Sequence, residues 1–189
     1  MMKTTRKNKE LAELKGKKVA IRDYMVIDLD MNTGLRVSEI AALKCGDLYI
    51  ERDQHRLQVR NGKGGKPRPV FFNLRVKEHL KKYLHWKIAV GEPVNDDAPF
   101  IMSSNTRGHM TTRGLQKIFK RNLEKAGLGN DLSFHSLRHT HAIQLYKASD
   151  HNIRLVQRQL GHSDSTTTEI YIAVLNEDMN RALNRLPAY

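Results

Sequence analysis

The sequence is poor in the residues that build cross-links, metal cages and membrane spans. One cysteine, Cys45, among 189 residues excludes an internal disulfide and a thiolate metal cage, and fits a reducing compartment. No stretch approaches the ~20 consecutive apolar residues of a membrane-spanning helix. The first twenty residues lack the apolar run and small-residue cleavage site of a secretory signal. Aromatic residues make up only 6% of the chain, and acidic residues are outnumbered, 20 Asp and Glu against 33 Lys and Arg. What is present, 39% hydrophobic residues, suffices for one packed domain. These features lead us to expect a cytoplasmic protein with no membrane association, in which Cys45 is a small core residue.

The formal charge of +13 attracts polyanions, of which phosphate backbones are the commonest inside cells. The excess is clustered. Lys3, Arg6, Lys7, Lys9, Lys15, Lys17 and Lys18 open the chain, and Arg52, Arg56, Arg60, Lys63, Lys66, Arg68 and Arg75 follow in its middle. Such clusters indicate a nucleic-acid partner.

Hydrophobic spacing gives a mainly helical chain. Residues 1–18 read as a basic arm or linker remnant. Ile21, Tyr24, Met25 and Ile27 mark a helix that Asn32-Thr33-Gly34 interrupts, and Val37, Ile40, Ala41 and Leu43 a second, short one that carries Arg36 and Glu39 on one face. The period then changes to that of strands at residues 56–60 and 69–72, joined by the glycine-rich turn 61–67, which sets Lys63 on a hairpin tip. Further helices are predicted from Leu74 to Ile88, along the stripe Leu115, Ile118, Phe119 and Leu123, from His135 to Ala148 with Leu137, His141 and Leu145 in line, and from Ile153 to the stop at Gly161. Thr166 and Glu169 have capping-box spacing ahead of a helix bearing Tyr171, and residues 176–186 form a last helical stripe.

Five segments carry the chemistry: Thr33-Gly34-Leu35-Arg36-Val37-Ser38-Glu39, Gly62-Lys63-Gly64, His135-Ser136-Leu137-Arg138-His139, Leu160-Gly161-His162-Ser163, and Tyr171 nine residues after His162. Singly each is weak. In this order they closely resemble the catalytic domain of the tyrosine recombinases, the family of phage integrases and Xer-type recombinases, from about Val19 onward. The resemblance implies a mostly α fold with a small antiparallel β-sheet, the DNA breaking-rejoining enzyme catalytic core, over residues 19–175. It also implies a C-terminal tail, 176–189, that docks on a neighbouring subunit. By position it names Arg36, Lys63, His135, Arg138 and His162 as the active-site set and Tyr171 as nucleophile, with Glu39 and His139 supporting and Arg60, Lys66 and Arg68 toward DNA. The implied activity is site-specific recombination through a 3′-phosphotyrosyl intermediate, with no metal, cofactor or ATP. The implied partner is double-stranded DNA, bound by a homo-tetramer that is a monomer in solution.

The chemistry of these residue types agrees. Cleaving a phosphodiester without metal takes a nucleophile, a proton donor for the leaving oxygen and cations for the charge of the transition state. Two planar guanidinium groups, Arg36 and Arg138, suit the non-bridging oxygens. A tyrosine of reference pKa about 10 needs a base or nearby cations, and His135 is the candidate base, with His162 donating to the phosphate. Lys63 is the candidate acid and Lys66 its rival. A zinc site at His135 and His139 lacks HExxH or an acidic third ligand, and a helix-turn-helix around 154–161 leaves the arginine, lysine, histidine and tyrosine set unexplained. Two departures stand out: about eighteen residues precede the first core helix where most members carry a helical DNA-binding domain, which fits either an excised catalytic fragment or a natural minimal recombinase, and Ala173 stands where a histidine often follows the nucleophile.

Overall fold

The computed structural model describes residue 6 and residues 18–62, 65–129, 131–161 and 183–185. Lys63, His162 and Tyr171, the Thr166 capping box and most of the 176–189 tail lie outside them. Six helices and a three-stranded sheet are described: α1 (Lys18–Thr33), α2 (Val37–Ala42), β1 (Leu48–Tyr49), β2 (Arg56–Val59), β3 (Arg68–Phe71), α3 (Leu74–Ala89), α4 (Thr112–Lys125), α5 (Phe134–Ala148) and α6 (Ile153–Leu160). The fold is mostly α with a small antiparallel sheet, as expected, in the order β1-β2-β3. Leu57 pairs with Leu48 on one side and with Val70 on the other, and the buried Leu57, Val59 and Val70 face the core. None of the described helices is long and apolar enough to cross a membrane.

Helix boundaries follow side-chain caps. Asn73, Thr111, Ser133 and Asn152 each accept a hydrogen bond from the backbone of their own first turn, which satisfies one of the donors a helix start leaves open. The predicted α4 stripe of Leu115, Ile118, Phe119 and Leu123 is buried, and Cys45 is a buried free thiol among the core residues.

One expectation shifts, and one helix is buried beyond what its spacing shows. In α5 the buried face is Phe134, Arg138, Ala142 and Tyr146, one residue round from the Leu137, His141 and Leu145 line, because the helix turns Arg138 inward. In α1 burial runs all round and takes in Arg22, Asp23, Asp28 and Asp30. This helix is central, packed by α3, α4 and α5. Its buried charges are matched one by one: Arg22 to Glu92 at 3.1 Å, Asp23 to Arg121 at 2.6 Å and Asp28 to His79 at 2.9 Å. Asp30 alone has no hydrogen-bond partner for either oxygen.

Candidate active site

The loop between α1 and α2 turns on Gly34, whose φ of +63° is a left-handed conformation open to glycine at little cost. Arg36 then caps α2: its backbone N–H donates to Glu39 Oε2 at 2.8 Å while its Nη1 donates to Glu39 Oε1 at 2.9 Å. The i, i+3 spacing seen in the sequence is thus a closed pair, with Glu39 buried and the Arg36 side chain 30% exposed.

Arg138 comes from α5 and is 5% exposed. Its Nη1 donates to the Gly34 carbonyl and its Nη2 to the Leu160 carbonyl at 2.7 Å. Arg36 Nη2 reaches the next carbonyl, that of Gly161, at 3.2 Å. The C-terminus of α6 therefore gathers both arginines. A helix end leaves its last carbonyls without intrahelical partners and carries partial negative charge, and guanidinium groups meet both needs.

A recess of about 320 Å³ is lined by Leu35, Arg36, Val37, Ser38, Phe134, His135 and Arg138. Three of the six candidate catalytic residues thus share one cavity, with His135 exposed in the first turn of α5. An adjoining recess of about 440 Å³ links Arg36 and Glu39 to Asn61 and Gly62, the base of the hairpin on which Lys63 follows. His139 is half-buried on α5. Among the described residues no three His, Cys, Asp or Glu side chains converge as a metal-binding group.

The three basic residues expected toward DNA part company. Lys66 is exposed. Arg60 is half-exposed and donates from Nε to the buried Asp47 at 2.5 Å. Arg68 turns inward: its side chain is 11% exposed, and its two terminal nitrogens fork onto Glu39 at 2.7 and 3.0 Å. A buried carboxylate at that distance captures a planar guanidinium fork better than solvent does. The sequence offered no sign of this pairing, nor of Gln159, whose amide takes the backbone N–H and carbonyl of Phe71 at 3.0 and 2.8 Å.

Charge states follow from these contacts. Burial would raise the Glu39 carboxyl, yet hydrogen bonds from Arg68 and from Arg36 outweigh it and hold the group below its ordinary value. Burial pushes Arg138 down to about 10, with Arg36 adding repulsion, which leaves it cationic at neutral pH. Burial lowers His141, assisted by Arg138 and opposed by its contact with the Met31 carbonyl. Asp30 is raised well above its ordinary value by burial, with Arg138 opposing.

For Asp30 the native state binds its proton more tightly than the unfolded chain, so stability falls as pH rises from the unfolded value of 3.8 through the higher native one. Asp30→Asn should therefore stabilise the protein at pH 7, because the amide carries no charge to desolvate on folding. The gain should vanish below pH 3.8, where the carboxyl is protonated in both states. Denaturant titrations at several pH values measure it, and a destabilisation that grows as pH rises would show that the carboxylate is needed charged.

Comparison with known proteins gives the family. The chain is 34% identical over 167 residues to the tyrosine recombinase XerC of Caldanaerobacter subterraneus subsp. tengcongensis, covering 88% of this chain and 45% of that protein. It is 32% identical over 168 residues to the tyrosine recombinase XerA of Pyrococcus furiosus, covering 87% and 54%. The chain thus spans about half the length of these relatives. Among solved structures it resembles a XerH site-specific recombinase bound to palindromic difH substrate in a post-cleavage complex, with TM-score 0.74 and 27% identity over 97% of this chain and 51% of that one. It also resembles a XerA recombinase, with TM-score 0.73 and 25% identity over 99% and 63%. The profile of the phage integrase family matches residues 3–178, a span that takes in all five motif segments together with the arginine cluster at the end of α6, and the chain belongs to that family.

Proposed function

We propose that this chain is the catalytic part of a site-specific tyrosine recombinase that cuts and rejoins double-stranded DNA. The observation that carries the reading is the meeting of Arg36, His135 and Arg138 around one recess, with both guanidinium groups fixed by neighbouring carbonyls of α6. Fixed donors aimed at the place where charge develops are worth more than mobile ones, since nothing need reorganise during reaction.

In this reading the scissile phosphate enters the recess and its non-bridging oxygens face Arg36 and Arg138. Tyr171 attacks phosphorus, the P–O5′ bond breaks, and a 3′-phosphotyrosyl link and a 5′ hydroxyl result. His135 accepts or shares the phenol proton, Lys63 protonates the leaving oxygen, and His162 donates to the phosphate. A 5′ hydroxyl from another strand then attacks the link and frees Tyr171. Each step exchanges one phosphoester for another, so no ATP is required, and the two guanidinium groups supply the positive charge that a metal ion would otherwise bring. Lys66 and Arg60 face the DNA, His139 supports the histidine-arginine helix, and the 176–189 tail docks on a neighbouring subunit of a tetramer in the cytoplasm.

The test is a nicked suicide duplex, from which the cut fragment diffuses away. In chelator the protein should become covalently attached to DNA, and Tyr171→Phe should abolish attachment while leaving duplex binding within about threefold, since one hydroxyl contributes little beside the sum of phosphate contacts. An adduct that persists in Tyr171→Phe sinks the nucleophile assignment. Binding with no adduct at all points to a silent DNA-binding regulator, and cleavage only with a divalent ion points to a nuclease.

A further inference from the structure

Arg68 lies outside the six-residue set, yet the structure ties it to every described part of the arginine cluster. Three successive carbonyls end α6. Gln159 O receives Arg68 Nε at a long 3.5 Å, Leu160 O receives Arg138 Nη2 at 2.7 Å, and Gly161 O receives Arg36 Nη2 at 3.2 Å. Arg68 lies flat against this turn because Gly161 has no side chain: a Cβ there would stand 2.6 Å from Arg68 Nε. Gln159 fastens the same turn to β3 through both backbone groups of Phe71. The strand leaving the Lys63 hairpin is thereby joined to the helix that leads into His162.

Glu39 decides what this arrangement does. Its two oxygens accept four N–H groups, two from Arg36 and two from Arg68. Without Arg68, the buried carboxylate and Arg36 would form a neutral pair, and little of the Arg36 charge would remain for a phosphate. With Arg68 forked onto it, the three guanidinium groups and one carboxylate leave a net charge of two positive. A phosphodiester carries one negative charge in the ground state and two in a phosphorane-like transition state, so the difference falls where rate is decided.

We propose, building on the recombinase reading above, that Arg68 is a positioning residue that neutralises Glu39 and so keeps the charge of Arg36 available to the scissile phosphate.

The experiment follows covalent attachment by the full chain on two suicide duplexes, one with an ordinary scissile phosphate and one with a methylphosphonate, in which a methyl group removes the negative charge. Arg68→Met should attach to the phosphate substrate about 10–100-fold more slowly at saturating protein, the scale of a misplaced catalytic group, with duplex affinity changed less than about threefold because few phosphate contacts are lost. The loss should shrink at least several-fold on the methylphosphonate. Arg68→Lys keeps a positive charge beside Glu39 and should recover a good part of the rate, short of the full value because an ammonium cannot fork onto both carboxylate oxygens. Arg68→Met combined with Glu39→Gln restores two positive charges and should recover most of the rate. Equal losses on both substrates, no rescue by Glu39→Gln, or a wild-type rate in Arg68→Met would each overturn the assignment. If Arg68→Met does not fold, Arg68→Gln with and without Glu39→Gln decides it by the same substrate comparison. An unsubstituted chain that forms no adduct with either duplex defeats the Tyr171 reading and takes this one with it, whereas unaffected Arg68 variants of an active chain defeat this one alone.

Discussion

Arg138→Ala should slow covalent attachment to a suicide duplex by about 10²–10³-fold, the usual effect of removing one fixed donor from developing charge. Arg138 has five N–H groups. Two are held by the carbonyls of Gly34 and Leu160, so the remaining three are oriented before any anion arrives in the recess that Arg138 lines. Lysine in its place should recover less than about tenfold, because one hydrated ammonium cannot bridge both carbonyls and still present a fork. Arg36→Ala should fall in the same range with less change in melting temperature, since its side chain is 30% exposed, whereas Arg138 is buried beside the unpaired Asp30. The double variant should lose far less than the product of the two factors, because residues that act together on one phosphate are not additive. Attachment rates within tenfold of the unsubstituted chain for either single variant would remove that arginine from the site.

These expectations rest on features of unequal visibility. Arg36 and Glu39 are three residues apart, so helical spacing alone brings them together, and Gly161 stands where a helical stripe ends. Local patterns of this kind survive into the structure because the forces that set them are local. Arg68 is the opposite case. In the sequence it is one more cation in a basic run, and its place is decided by Glu39 on α2 and by the turn at Gly161, both remote along the chain. The acids of α1 are a similar case. Helical spacing says nothing of partners for Asp23 and Asp28, and these come from Arg121 on α4 and His79 on α3, which pack against this central helix and supply what burial demands. The α5 stripe is displaced by one residue for a related reason. Hydrophobic periodicity favours Leu137 and Leu145, while the carbonyls of Gly34 and Leu160 draw Arg138 inward.

Gly34→Ala should be among the most damaging single substitutions, lowering stability by about 2–5 kcal/mol. Left-handed backbone costs an L-residue roughly 1–2 kcal/mol, and Gly34 has φ +63°. Added to this is overpacking, because an added Cβ would stand 2.6 Å from Leu160 Cδ2 and 2.7 Å from His141 Cδ2, and forcing a methyl into a filled core costs about 1–3 kcal/mol. Gly127 separates the two contributions: its φ is +67° and nothing lies within 4 Å of its added Cβ, so Gly127→Ala should show the backbone cost alone. For a chain of this size the Gly34 variant should melt about 5–15 °C below the unsubstituted protein. Its effect should also reach the chemistry. The Gly34 carbonyl holds Arg138, and Leu160 and Gly161 hold both arginines, so pushing Leu160 away loosens the cluster from two sides. Attachment to DNA measured well below the melting point should fall at least tenfold in Gly34→Ala and stay near normal in Gly127→Ala, a misplacement of about 1 Å being enough for such a loss. Equal melting temperatures for the two variants would show that the turn has room the packing denies, and normal attachment by a destabilised Gly34→Ala would show that Arg138 keeps its place without that carbonyl.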